Sequence, residues 1–292
     1  MMTPNMLERR TLLKASIIGL PALAAAGCQT HGGHGGDHGH SHASDSPALA
    51  EAVTKGVAYF QKRCKDQLPL VKKLHAAIKS GDLKKAQAAY VESRPPYEEI
   101  ETTALCFEDA DSDIDARPYA FEGGETDPEF RGFHKIEAYL YGYEDLKAAE
   151  PFAAGLVKSV EGLQKNLAER GRFNAGFQFD GMVGLANEVA AKKISSEEET
   201  WSDQSLLIFW HNWIGIASQF KPFEAALNDG KKYDAVLKPV KDGLEMLKPH
   251  KVEGTAGFTP YSKIGMAERR KMANTSNRLR DALMSAREAI GV

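Results

Sequence analysis

An all-α fold, built as two four-helix bundles in tandem, is predicted for residues 47–292 by three observations. Apolar residues recur at helical spacing, as in Val53, Val57 and Phe60 and again in Leu70, Leu74 and Ile78. Runs of β-branched residues are few. Breaks fall at turn-forming clusters: Ser80-Gly81-Asp82, Gly171-Arg-Phe-Asn174, Ser195-Ser196 and Gly254-Thr-Ala-Gly257, with a long acidic segment over 108–129. The breaks mark out eight helices, over 47–79, 82–108, 130–143, 145–171, 179–193, 197–228, 232–249 and 260–290. Asp82 and Ser196 suit the N-cap positions of the second and sixth, because a short side-chain oxygen accepts from a free helix N–H. Pro95-Pro96 removes backbone donors and kinks the second helix. Bundle one takes about 47–171 and bundle two about 179–290.

The segment before residue 47 is not part of that fold. Arg9-Arg10-Thr-Leu-Leu-Lys14 precedes the apolar run Ala15–Ala26 and then Gly27-Cys28, which is the pattern of an export signal over 1–28. The paired arginines resemble a twin-arginine signal, and Ala25-Ala26-Gly27-Cys28 resembles a lipoprotein cleavage site with Cys28 as the acylated residue and membrane anchor. Cleavage by an ordinary signal peptidase near Ala22-Leu-Ala24 stays open. The apolar run is too short to span a bilayer, which takes about 20 residues. Residues 29–46 are polar and glycine-rich and read as a disordered tether. Its histidines, His31, His34, His38, His40 and His42, either collect Zn²⁺, Cu²⁺ or Ni²⁺ loosely or serve as plain linker.

With 42% hydrophobic and 26% charged residues and a net charge of −3, the 292-residue chain offers no basic face for nucleic acid. An exported chain meets oxidising conditions, so Cys64 and Cys106 form a candidate disulfide pair. The charge is unevenly spread. Residues 98–129 hold twelve acidic side chains against one basic residue, Arg117, and such a patch asks for a cation. Asp109–Asp115 is not a calcium loop, because Ile114 and Ala120 stand where an EF-hand needs Gly and Glu.

Downstream, Gly132-Phe-His-Lys-Ile-Glu137 places an imidazole and a carboxylate three residues apart on a helix. At about 100° per residue, Phe133, Ile136, Leu140 and Tyr143 form an apolar stripe, and His134, Glu137 and Tyr141 border it. A pair at this spacing is either a structurally satisfied histidine or a metal ligand. Glu98 and Glu101 are likewise i and i+3, opposite the apolar set Ile100, Ala104 and Phe107. They are a solvated face unless the proline kink turns them toward a cleft. Trp210 and Trp213, flanking His211, read as packing, and His75 and His250 stand alone.

Several ordered blocks carry a resemblance. Arg94-Pro-Pro-Tyr-Glu-Glu-Ile-Glu101, Ile114-Asp115-Ala-Arg117 and Gly132-Phe-His-Lys-Ile-Glu137 are followed by Asn187-Glu-Val-Ala190 and Lys193-Ile-Ser-Ser-Glu-Glu-Glu199. Phe209-Trp-His-Asn212 with Gly215, and Phe258-Thr-Pro-Tyr261 with Arg269-Arg270, complete the series. Together these resemble the imelysin-like family, in particular the EfeO/EfeM type of bacterial iron uptake. The resemblance implies a periplasmic, all-helical protein with an acidic metal site between helices. Carried over by position, Glu98, Glu101, Asp115 and His134 are ligands, with a further carboxylate from Glu197 or Glu198 at the start of the sixth helix. Glu137 acts as a ligand or supports one. The family typically has Tyr-Ser-His-Thr-Asp-Leu where this chain has Trp201-Ser-Asp-Gln-Ser-Leu206, so that histidine and aspartate are lost. Residues 29–46 are too few for the cupredoxin domain of the longer type, which implies the short form.

The implied function is capture of Fe²⁺ or Fe³⁺ and its delivery to an EfeU-type membrane permease, with an EfeB-type peroxidase as a further partner. Zn²⁺ or Cu²⁺ are alternative ions, since ligand type alone does not exclude them. Two other readings stand beside it: an imelysin-like metallopeptidase, and a metal-dependent binder of acidic polysaccharide. The common zinc peptidase uses His-Glu-x-x-His, whereas Lys135 follows His134 and Ala138 stands at the second histidine position.

Overall fold

The computed structural model describes residues 46–168, 173–196 and 198–292. The expected export signal with Cys28, and His31, His34, His38, His40 and His42 of the expected tether, lie outside the described residues, as does Glu197. The described chain is all-α. No strand occurs among the described residues, where an isolated antiparallel bridge joins Lys251 and Phe258. No described helix is long and apolar enough to cross a membrane.

The helices are α1 (Pro47–Lys79), α2 (Leu83–Ser93), α3 (Pro95–Ile100), α4 (Glu108–Asp115), α5 (Phe133–Glu137) and α6 (Leu146–Asn166). They continue with α7 (Ala175–Glu188), α8 (Ile194–Ser196), α9 (Ser205–Phe220), α10 (Glu224–Leu227), α11 (Gly230–Leu247) and α12 (Met266–Ile290). Side-chain oxygens cap α1, α2, α6, α7 and α11: Ser46, Asp82, Asp145, Asn174 and Asp229 each accept from the N–H three residues on.

Four departures from the sequence reading have local causes. The helix expected over 82–108 is broken into α2, α3 and a 3-10 turn over Glu101–Cys106, because Pro95 has no N–H to continue α2 but fits the first position of α3. The acidic segment is not a plain break, since it contains α4 and two further 3-10 turns at Pro118–Ala120 and Gly124–Thr126. The sixth predicted helix begins only at Ser205, with Gln204 at its N-cap position, so Ser196 does not cap it and Glu198 lies in a loop before it. Finally, α5 runs on as a π-helical stretch over Ala138–Tyr143. The wider turn shifts the register, so Phe133, Ile136 and Leu140 are buried but Tyr143 is 59% exposed.

Two hydrophobic cores result. The first gathers Val57, Phe60, Leu74, Tyr90, Ile114, Phe133, Ile136 and Leu156, and the second Phe179, Met182, Phe209, Trp213, Phe220 and Leu279. α1 serves both, giving Leu49 and Ala52 to the second core and Val57, Phe60 and Cys64 to the first. Cys64 is a free thiol whose Sγ lies 3.9 Å from the Val160 carbonyl, so the candidate disulfide with Cys106 is not formed. Burial pushes that thiol up to about 12.

α9 packs directly on the backbone of α3. At Gly215 an added Cβ would lie 2.4 Å from the Glu99 carbonyl oxygen, a contact only glycine avoids. Gly215→Ala is therefore expected to cost roughly 1–3 kcal/mol in urea unfolding. Gly184→Ala, on the exposed side of α7 with nothing near its Cβ position, is expected to be neutral or stabilising by up to ~1 kcal/mol.

Candidate metal centre

Charged side chains from both halves of the chain meet around α3. Glu98 stands on the last turn of α3 and Glu101 opens the 3-10 turn after it; Asp115 ends α4, with Arg117 beyond it. His134 and Glu137 lie on α5, which starts at Gly132. Gly132 has φ +82°, and a Cβ there would fall 2.4 Å from the Ile114 carbonyl oxygen. Glycine thus lets α5 close onto the end of α4 and brings His134 beside Asp115. Lys193 ends a π-helical turn over Val189–Lys193 that follows α7, and the loop over 198–204 supplies Glu198 and Glu199.

The fixed charges are extensively paired. Arg94, with no exposed surface, reaches three carboxylates with three nitrogens: Nη2 to Glu98 at 2.7 Å, Nη1 to Asp115 at 2.5 Å and Nε to Glu199 at 3.0 Å. Its guanidinium lies 4.5 Å from the Phe133 ring centre. Arg117 pairs with Glu198. Lys193 Nζ lies 2.7 and 2.8 Å from the two Glu101 oxygens and 3.0 Å from Glu198 Oε1. The Asn212 amide on α9 donates to Glu98 Oε2 at 3.1 Å and to Glu101 Oε2 at 2.8 Å. Burial alone would raise Asp115, yet Arg94, His134 and Arg117 hold it below the usual carboxylate range. Glu98 goes the other way, because burial outweighs the nearby Arg94.

Asp115, His134 and Glu198 bring one ligand atom each to within 4.8 Å of one another, and all three are buried. Among the described residues His134 Nε2 has no hydrogen-bond partner, and Asp115 Oδ1 stands 3.5 Å from it. Nδ1 is engaged instead, at 2.9 Å from Glu137 Oε2. Glu137 is fixed in turn by the Trp201 and Ser202 N–H groups, which donate to Oε1 at 2.9 and 2.8 Å. Burial keeps His134 well below its ordinary value, with Arg94 and Arg117 acting in the same direction against Asp115. Burial and the neighbouring Glu199 raise Glu137. A buried, neutral imidazole, oriented through one nitrogen by a carboxylate and presenting the other bare, has the form of a metal-binding histidine. A cation at Nε2 would meet Asp115 and Glu198.

Of the residues expected from sequence, Asp115, His134 and Glu198 converge directly, and Glu137 orients His134. Glu98 and Glu101 join the cluster through Arg94, Lys193 and Asn212. A second group, His134, Glu137 and Glu199, also converges, although Glu199 is satisfied by Tyr90 Oη at 2.9 Å and Ser202 Oγ at 2.6 Å.

The sequence profile described as peptidase M75, imelysin, matches residues 46–285. The chain belongs to the imelysin family. The proteins called "Iron uptake system component EfeO" from Escherichia coli K12, Shigella flexneri and Shigella sonnei are each 34% identical to it over 250 residues. Those matches cover 84% of this chain and 65% of each relative, so this imelysin-family chain spans somewhat under two thirds of the length of those relatives.

Sequence reasoning about this imelysin-family site missed its cations. Arg94 and Lys193 lie inside the recognised blocks, but their charges signal nothing until the fold aims them at Glu98, Glu101 and Asp115. His75 and His250 do not stand alone: their Nε2 atoms lie 2.8 Å from Glu150 and 2.7 Å from Glu268. Trp210 and Trp213 do pack, Trp213 being buried and Trp210 lying under the Lys251 ammonium at 4.0 Å.

The back of α3 is pinned as firmly as its front. Glu99 accepts from Tyr59, from Arg63 Nη2 at 3.1 Å, and pairs with His211 Nδ1 at 2.8 Å. Burial would raise this carboxyl, but His211, Tyr59 and Arg63 hold it below its ordinary value of 4.5. A depressed carboxyl stabilises the fold above the unfolded-state pKa, and the stabilisation is lost as pH falls through the folded one. Glu99→Gln is therefore expected to cost about 2 kcal/mol at neutral pH. In thermal unfolding across pH, the gap between wild type and variant should narrow as pH drops below about 4.3; a gap independent of pH would contradict it.

Proposed function

We propose that this protein is the ion-capturing component of a bacterial iron uptake system. It is a carrier with iron as its cargo, not an enzyme. The observation that carries the reading is His134: a buried Nε2 without a partner beside Asp115 and Glu198, and Nδ1 held by Glu137. The EfeO relatives, named as iron uptake system components, support iron as the ion. One nitrogen among several carboxylate oxygens suits a hard or borderline cation. Glu101 completes the donor set once the Lys193 ammonium that holds it moves aside, and Glu98, kept in place by Arg94, lies next to it as negative charge. The N-terminal signal supports a periplasmic location, with acylated Cys28 as membrane anchor, and delivery runs to an EfeU-type permease with an EfeB-type peroxidase as partner.

Binding and release follow from the burial of the site. A cation entering among buried carboxylates replaces protons and internal ion pairs, so capture is favoured near neutral pH and release by acid. The peptidase reading finds no support in the donor set, because the described residues place no second histidine at the cluster.

Calorimetric titration tests the reading, using the full chain with His31, His34, His38, His40 and His42 changed to alanine so that the tether contributes nothing. One tight site for Fe²⁺ or Fe³⁺ is expected, lost with His134→Ala and weakened roughly 10–100-fold with Glu137→Gln. Affinity should fall steadily as pH is lowered from about 7 to about 5. Iron binding indifferent to His134→Ala would overturn the assignment.

A further inference from the structure

We propose that the Lys193 ammonium is an exchangeable internal counter-ion, which holds the carboxylate pocket in the ion-free protein and is displaced by the incoming metal ion from Glu101 and Glu198. The inference rests on the iron-capture reading and adds a residue that sets how tightly the ion is held.

The geometry points to Lys193 rather than to either arginine. Its Nζ sits against three carboxylates, bridging Glu101 at 2.7 and 2.8 Å and Glu198 at 3.0 Å, with Glu98 Oε2 at 3.9 Å. A compact cation ringed by oxygen donors is the arrangement a metal ion would take in the same place. Arg94 cannot play this part. Its planar fork is committed to Glu98, Asp115 and Glu199 at once, it is fully enclosed, and Phe133 covers its face. Arg117 also reaches toward Glu188, with its side chain 13% exposed at the rim of the cluster.

Lys193 can leave because of how it is held. Its flexible four-carbon stem rises from the π-helical turn Val189–Lys193, an irregular element of a kind frequent at functional sites, so the ammonium can swing aside by rotation about its own bonds. Glu101 does not collapse when the ammonium departs, because the Asn212 amide continues to donate to Glu101 Oε2 at 2.8 Å. The lysine thus cancels charge without being the only group that positions the carboxylates. The apparent affinity for the cargo ion is then reduced by the fraction of molecules in which Lys193 occupies the pocket. A carrier that must give up its ion gains from a built-in competitor of this kind.

The test compares Fe²⁺ titrations of the tether-alanine full chain with Lys193 intact, Lys193→Gln and Lys193→Arg, with Lys238→Gln as a surface control. Removing the competitor should tighten binding about ten-fold or more, whereas Lys193→Arg, which grips Glu101 through two nitrogens, should weaken it. Lys193→Gln should also melt lower than the Lys193 parent without iron and alongside it with saturating iron, giving a larger thermal shift. Equal or weaker binding by Lys193→Gln would make the lysine a structural support and overturn the inference while leaving the iron reading intact. Should Lys193→Gln not fold without iron, Lys193→Arg decides, and binding at parental strength or better overturns the inference. Absence of iron binding by the Lys193 parent would sink the reading itself, and the inference with it.

Discussion

Arg94 is the interaction on which the rest of the centre depends. Its guanidinium joins the end of α3, the end of α4 and the loop over 198–204, segments separated by as much as a hundred residues of chain, through carboxylates that are themselves buried. A buried ion pair adds little net stability, but removing one member leaves an uncompensated charge that costs about 3–5 kcal/mol. The arginine therefore acts as a condition for the acidic cluster more than as a source of stability. Without it, Glu98, Asp115 and Glu199 could not share a dry volume.

The same logic explains why α3 is short and held on both sides. Two successive prolines end α2 and aim the following turn between the two cores, and there the carboxylates alternate in direction. Glu98 and Glu101 face the cluster. Glu99 faces Tyr59 and Arg63 of α1 and His211 of α9. With glycine at position 215 allowing backbone contact behind, the turn has little freedom to rotate. Rigid placement of donors is what lets a site choose between ions by spacing rather than by ligand type alone.

Much of this was legible in the sequence, and what was not has identifiable causes. Helical periodicity marks the long elements α1, α6, α11 and α12, where side chains at i, i+3 and i+4 bury together. It misleads at Tyr143, because a π-helical stretch cannot be seen in a pattern read at 3.6 residues per turn. It misleads again before Ser205, where polar residues over 198–204 resemble the first turns of a helix but fold as a loop whose Trp201 and Ser202 N–H groups go to Glu137. The acidic bias of 98–129 pointed to a cluster of carboxylates, to which Glu98, Glu101 and Asp115 belong. It could not announce that Arg94 and Lys193 already occupy part of it, since sequence distance hides which charges become neighbours.

α1 carries a consequence of its own. A single 33-residue helix gives its first turns to one core and its remainder to the other. The two halves therefore share a rigid strut instead of a linker, and neither can melt without exposing apolar surface of the other. A clam-shell closing of lobes is denied to such an architecture. Any rearrangement falls instead to side chains and short irregular segments, and cooperativity of unfolding should extend across the whole helical body.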